Sequence, residues 1–482
     1  MRAIDRVVGA SPVRTALRAA SLIAGLAVTA AIAGAVTAAA VHYGGAAAPA
    51  LVLAVAILPL VTLLIFLSPP VGPMAVFVTF AAGAASVPFG IVTLQVVEAA
   101  TLYVALVVAL GRLATGHAPL AWSAPLWWLA ALVTWTVVAL PSALDRTLAI
   151  RQIASLAGAI VFACVVVAVC ATWVDLRRVV GAFVAVAAGM ALSALVSAGQ
   201  FRSFGGGSRV EGRLQGVFDQ PNQLGSFCAL VAPVAASIAI GGRTRRSRLL
   251  AVAALAAILG GLLLSLSRGA WIGTIMAVLY LLATLPQARR AVVALSIPLI
   301  LVAAVIGSFA AGSPQLEVVG ERFTTLTRQG GVYDARSEIY REAQREILAD
   351  PWTGQGPGSF PVASTRASSQ AFTVSAEHAH DILLTWAAES GVPAALAIVG
   401  FGVALAFTGR RAGRSALARG DPADRAIVAG LVAGLISVGG QGIVDYTFRN
   451  AVILIALFGV IGALLAAARA APGTGARSPE LA

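Results

Sequence analysis

Long apolar runs broken by short polar or arginine-bearing segments extend along most of the chain. An α-helix needs about 20 apolar residues to cross the hydrocarbon core of a bilayer, and a window of about 19 residues finds such spans. That pattern predicts helices near 17–41, 46–68, 72–86, 91–111, 122–142, 152–173, 179–199, 221–241, 249–265, 269–285, 291–311, 382–407, 426–444 and 450–468. The runs at 72–86 and 249–265 are short for a span, so the expected total is about 12–14. The first run follows Arg2, Arg6 and Arg14 but exceeds the roughly 7–15 apolar residues of a signal peptide, so it reads as a membrane helix. The expected fold class is all-α, a polytopic integral membrane helical bundle with one structured extracytoplasmic loop.

The interruptions divide the chain into five regions: N-terminal transmembrane helices (1–199), central helices (200–311), a large loop (312–380), C-terminal helices (381–469) and a polar tail (470–482). Loops this long between packed helices are usually functional or disordered. Within it, residues 335–351 read as an amphipathic helix, with Ile339, Ala343 and Ile347 on one side and Asp350-Pro351 as its stop. Gly354-Gln355-Gly356-Pro357-Gly358 reads as a tight turn.

Composition sharpens this picture. The 482 residues are 59% hydrophobic and 11% charged, whereas soluble domains are about a quarter charged, which excludes a water-soluble enzyme. All 33 basic residues are arginine, against 20 acids and a net charge of +13. They fall in short clusters between apolar runs rather than along one face, so they read as topology signals and not as a nucleic-acid footprint. The clusters at 243–248 and 410–414 mark cytoplasmic loops under the positive-inside rule. Both termini are then cytoplasmic, and residues 200–220, the Ser265–Arg268 corner and the long loop face outward. Cys164, Cys170 and Cys228 have no metal-ligand spacing and read as small core residues.

Ionisable groups beside membrane spans are costly and mark function first. Arg213 precedes a helix opening at Pro221, Arg268 lies at a junction of two spans, Arg336 opens the amphipathic helix and His380 closes the long loop. All four fall on the outer side. Guanidinium forks grip phosphate oxygens in bidentate pairs, and an imidazole takes a proton near neutral pH. Together they suit a diphosphate leaving group and an attacking hydroxyl. The competing reading of each arginine is a lipid-headgroup contact or helix-end anchor. Asn222, His378, Asp381 and the membrane-embedded Glu98 are accessory candidates, although Asn222 also suits an early helix turn and Glu98 a pairing with a neighbouring helix. His378 and His380 with Glu377 or Asp381 could chelate a metal from an extended segment, but spacing dictates no third ligand, so neither a metal nor another cofactor is expected. Asp445 and Arg449, like Asp145, Arg146 and Arg151, sit at outer helix ends where structural ion pairs form.

RLQGVFDQPNQLGSF at 213–227, LSLSRGAWIG at 264–273, RSEIYREAQREILADPWTGQGPGSF at 336–360 and HAHDILLTWAAESGVP at 378–393 together resemble the O-antigen ligase and O-antigen polymerase superfamily of bacterial membrane glycosyltransferases. The resemblance covers roughly residues 200–400. It implies a GT-C-like helical bundle in the cytoplasmic membrane that moves a glycan from an undecaprenyl diphosphate carrier to a glycan or glycolipid acceptor on the outer face, by inversion and without metal. By the same resemblance Arg268 and Arg336 bind the carrier diphosphate, Arg213 assists, and His380 is the general base. The family usually shows Asn after that histidine, where this chain has Asp381. A polymerase of the same superfamily and a flippase for lipid-linked oligosaccharides are the alternatives. A flippase is expected to carry midplane polar sites and often paired inverted repeats, and no repeat is visible.

Overall fold

The computed structural model describes residues 23, 48–83, 85–89, 92–118, 121–197, 213–290, 336–368 and 376–470. Among them the helices are α1 (Ala48–Leu67), α2 (Val71–Val78), α3 (Val96–Ala114), α4 (Leu126–Val138), α5 (Arg146–Val169), α6 (Trp173–Ser197), α7 (Pro221–Gly241), α8 (Arg245–Leu264), α9 (Arg268–Thr284), α10 (Arg336–Ala349), α11 (Phe360–Ser368), α12 (Ile382–Ala418), α13 (Pro422–Gly442) and α14 (Ala451–Arg469). The fold is an all-α polytopic bundle. Eight of these helices, α3, α5–α8 and α12–α14, are long and apolar enough to cross a membrane, and α2, α4 and α9 are shorter apolar helices. The expected spans at 17–41, apart from Ile23, and at 291–311 lie outside the described residues. The others each fall on a helix.

One local departure concerns residues 86–95. There the chain forms an antiparallel hairpin, β1 (Ser86–Phe89) with β2 (Val92–Gln95), Ser86 opposite Gln95. Pro88 cannot continue a helix, and Val87, Val92 and Thr93 favour extended backbone. Helix α3 therefore starts at Val96, where the Glu98 carboxylate accepts the Gln95 N–H at 2.8 Å.

The core is held by edge-on aromatic packing and by close helix contacts. Phe77, Phe80, Phe162, Phe183 and Phe227 join α2, the turn after it, α5, α6 and α7 through ring pairs 5.0–6.4 Å apart, geometry that aromatic quadrupoles favour. Helices α7 and α13 run antiparallel and pack tightly along their length. At one end Asp421, which caps α13, and Asp424 within it gather Arg177 at 3.1 and 2.6 Å, Arg419 at 3.0 Å, and Arg243. At the other, Gln441 and Thr447 hydrogen-bond Ser226 of α7 at 2.5 and 2.9 Å. The bundle thus has an arginine-rich end and an opposite, hydrogen-bonded end.

The long-loop helix foreseen at 335–351 is α10. It buries Ile339 and Ala343 against Phe360, Ala376, Ala379 and Ala388. The turn after it threads into a break in α12 at Ser390–Gly391. Gly391 has φ +78°, and a side chain there would collide with the Trp352 carbonyl; the Val392 N–H donates to Pro351 O at 2.8 Å. Loop and bundle are one packed body at this point.

Helix α9 approaches α13 so closely at Gly273 that an added methyl would strike the Ser437 carbonyl. Gly273→Ala is expected to destabilise the protein by about 1–3 kcal/mol, the usual cost of overpacking, seen as a lower thermal midpoint in detergent. An unchanged midpoint would refute that contact.

Candidate active site

The hydrogen-bonded end of the bundle collects the residues singled out from the sequence. Helix α8 ends at Leu264, and the chain turns through Leu266 in the left-handed region, φ +51°, before α9 begins at Arg268. The turn exposes the Ser265 carbonyl, which accepts Arg213 Nε at 2.9 Å. Arg213 Nη2 donates to Asn222 Oδ1 at 2.5 Å, and Asn222 Nδ2 donates to Asp445 Oδ2 at 2.8 Å. The other oxygen of Asp445 lies 3.0 Å from His380 Nδ1 and accepts the Tyr446 N–H at 3.0 Å. Arg213, Asn222, Asp445 and His380 therefore form one continuous chain of polar contacts drawn from four segments.

His380 also has left-handed backbone, φ +55°, a conformation that costs a branched-free residue about 1–3 kcal/mol and persists where surroundings enforce it. Two restraints do so. Asp381 caps α12 by accepting the Leu384 N–H at 2.8 Å, and Ala379 is buried under α10. His378 is 8% exposed, packs edge-on to His380 with centroids 4.5 Å apart, and keeps Nε2 3.6 Å from the same Asp445 oxygen, beyond hydrogen-bond reach.

Burial and the neighbouring charges shift both His378 and Asp445. Burial lowers the proton affinity of His378 more than Asp445 raises it, so that ring is neutral near pH 7. The Asp445 carboxyl is pushed up by burial, yet the two imidazoles beside it outweigh burial and hold it well below the usual carboxylate range. Asp445 is thus a buried anion.

Arg268 is the first residue of α9 and half-buried. Its neighbour Gly269 packs on Val444 and Asp445, and among the described residues Arg268 makes no hydrogen bond or ion pair. Arg336 opens α10, whose apolar face covers Ala379 between the two histidines. Glu98 stands apart: it accepts the Gln95 N–H and Ser155 Oγ, the latter at 2.5 Å.

His378, His380 and Asp445 place three ligand atoms within 4.8 Å of one another, so these three residues could hold a divalent cation. The third donor is Asp445 rather than the adjacent Glu377 or Asp381. A second buried charge set was also missed from sequence: Glu389, fully buried in α12, pairs with Arg449 and accepts Gln152 Nε2 at 3.1 Å and the Phe360 N–H at 3.3 Å. The ion-pair tendency of outer helix ends pointed to Asp445 and Arg449, but nothing local named their partners.

Residues 251–399 match the family model described as O-antigen ligase. Over that stretch the chain is similar to the O-antigen ligase family. The match includes Arg268, Arg336 and His380 of this ligase-like chain, while Arg213, Asn222 and Asp445 lie outside it. A chain in a solved structure on structural coordination of polymerization and crosslinking by a peptidoglycan synthase complex is 18% identical, with TM-score 0.39, covering 72% of this chain and 98% of that one; so distant a likeness bears on neither fold nor function. No curated protein matches.

Helix α10 carries a pH sensitivity of its own. Among the described residues Glu346 is buried without a hydrogen-bond partner on either oxygen, and burial, with Glu342 and Glu389 nearby, pushes its pKa up to about 8 from an ordinary value of 4.5. The docked helix holds this proton more tightly than the unfolded chain does. Its contribution is therefore complete below pH 4.5 and lost as pH rises through about 8. Proteolysis within 336–349 is expected to increase between neutral and alkaline pH in the wild type and to stay flat in Glu346→Gln; equal increases would contradict this.

Proposed function

We propose that this chain transfers a glycan from an undecaprenyl diphosphate carrier to a hydroxyl of a glycan or glycolipid acceptor, with inversion and without a metal, on the outer face of the bacterial cytoplasmic membrane. The observation that carries the reading is the polar chain running from Arg213 through Asn222 and Asp445 to His380, with Arg268, which pairs with nothing among the described residues, at the start of α9.

In this reading Asp445 accepts Nδ1–H of His380 and so leaves Nε2 as the proton acceptor. Nε2 takes the proton of the acceptor hydroxyl as its oxygen attacks the anomeric carbon. The bond from that carbon to the diphosphate oxygen breaks, and its electron pair leaves with the diphosphate. Arg268 and Arg336 stabilise the charge that grows there, and Arg213 holds Asn222 and the Ser265 turn in place. His380 suits the role of base better than His378, because it is more exposed and carries the hydrogen bond that orients the ring. Asp381 is occupied as a helix cap, and Glu98 supports the start of α3. The outward assignment of this end rests on the arginine-rich opposite end, which the positive-inside rule places in the cytoplasm.

His380→Ala is expected to lower transfer by about 10²–10⁴, measured with purified protein, lipid-linked glycan and acceptor; wild-type turnover in that variant would remove the base assignment. Arg336→Lys keeps the charge but loses the fork and is expected to cost about 10²–10³. Activity should survive EDTA. Loss on chelation, restored by added zinc, would assign His378, His380 and Asp445 to a metal instead.

A further inference from the structure

His378 is 8% exposed, and neither of its ring nitrogens has a hydrogen-bond partner among the described residues. The cause is a shortage of lone pairs. Asp445 Oδ1 offers two acceptor positions; the Tyr446 N–H fills one at 3.0 Å and His380 Nδ1 takes the other at 3.0 Å. The second carboxylate oxygen is held by Asn222 Nδ2 at 2.8 Å. His378 Nε2 stands 3.6 Å from Oδ1 with no lone pair of that oxygen left to it. A buried imidazole in this state is costly unless something completes it.

A cation would satisfy all three side chains at once. Donors around a tetrahedral Zn²⁺ with bonds of about 2.0–2.1 Å stand roughly 3.4 Å apart, and the two imidazole nitrogens lie 3.0 and 3.6 Å from Asp445 Oδ1. All three ligand atoms fall within 4.8 Å of one another. Two imidazoles and one carboxylate select Zn²⁺ and similar transition metals, whereas Mg²⁺ and Ca²⁺ take oxygen ligands. The His380 side chain is 27% exposed and gives the ion a way in. A single carboxylate leaves the loaded site with one net positive charge. Arg213 stands behind it through Asn222, which favours reversible over permanent loading.

We propose that His378 Nε2, His380 Nδ1 and Asp445 Oδ1 form a reversible zinc site that blocks transfer when filled. Binding exchanges hydration waters of the ion for three protein ligands. A neutral imidazole carries one proton; with Nδ1 of His380 on the metal, exchange with solvent leaves that proton on Nε2. Nε2 then has no lone pair for an acceptor hydroxyl, and Asp445 no longer accepts the N–H that orients the ring. The effect on transfer rests on the reading of His380 as the base; the site itself rests only on the three donors.

The test uses the full chain in nanodiscs, purified through a tag without histidine and stripped with EDTA. Zinc is titrated against a chromophoric chelator, and the loaded wild type is measured by zinc X-ray absorption. A single zinc per chain is expected, with two imidazoles in its coordination shell and no displacement by excess Mg²⁺. In His378→Gln, shown folded by size exclusion, affinity should fall by at least the roughly 10–100-fold that loss of a supporting contact costs. Zinc should lower wild-type transfer by about 10²–10⁴, the share of a general base, and EDTA should restore it. Each protein is scored against its own rate in EDTA. A wild-type coordination shell without imidazole, equal zinc affinity in His378→Gln, or faster transfer with zinc would overturn the proposal. The two readings fail separately. Transfer that is lost in His380→Ala while the wild type binds no zinc would sink the site and keep the base. Zinc held by both imidazoles with transfer undiminished would keep the site and remove both the block and the base.

Discussion

A buried carboxylate must be compensated, and the way Asp445 is compensated organises this end of the molecule. Its two oxygens receive Asn222 from α7, the Tyr446 backbone and His380 from the segment leading into α12. Removing any donor would leave a charge in a place where water cannot replace it. The same contacts that satisfy the anion therefore fix the imidazole, and through Asn222 they fix Arg213 and the Ser265 turn from which α9 starts. Backbone strain at Leu266 and His380 sits where this network meets the ligase-like motifs.

Scaffold and site are coupled by the packing below them. Antiparallel α7 and α13 carry arginine–aspartate pairs at one end and the site at the other. Helix α10 lies over Ala379, and the Gly391 break lets the long loop interlock with α12. Glu389 ties the bundle to Phe360 of the loop and to Arg449 beside α14. The polar candidate site is thereby held on an apolar frame with little freedom to shift.

Much of this was legible along the chain. Apolar runs near 20 residues located the helices, because the bilayer imposes one length on all of them. The 3.6-residue spacing of Ile339, Ala343 and Ile347 revealed α10. Arg213, Arg268, Arg336 and His380 stood out as charges and an imidazole placed where apolar residues would be cheaper. Asp445 did not, since its link to His380 spans 65 residues and its local context reads as any helix end. Glu389 was masked in the same way by a partner 60 residues on. The hairpin at 86–95 was hidden because strands of four residues carry too short a period to register against a membrane-length window.

The central claim is that Asp445 and His380 act as one unit, and a double-mutant cycle on glycosyl transfer tests it most directly. With Asp445→Asn, His380→Ala and the double variant all folded, the account predicts that the double variant is no slower than His380→Ala alone. Rate losses that simply multiply, or wild-type turnover in Asp445→Asn, would contradict it.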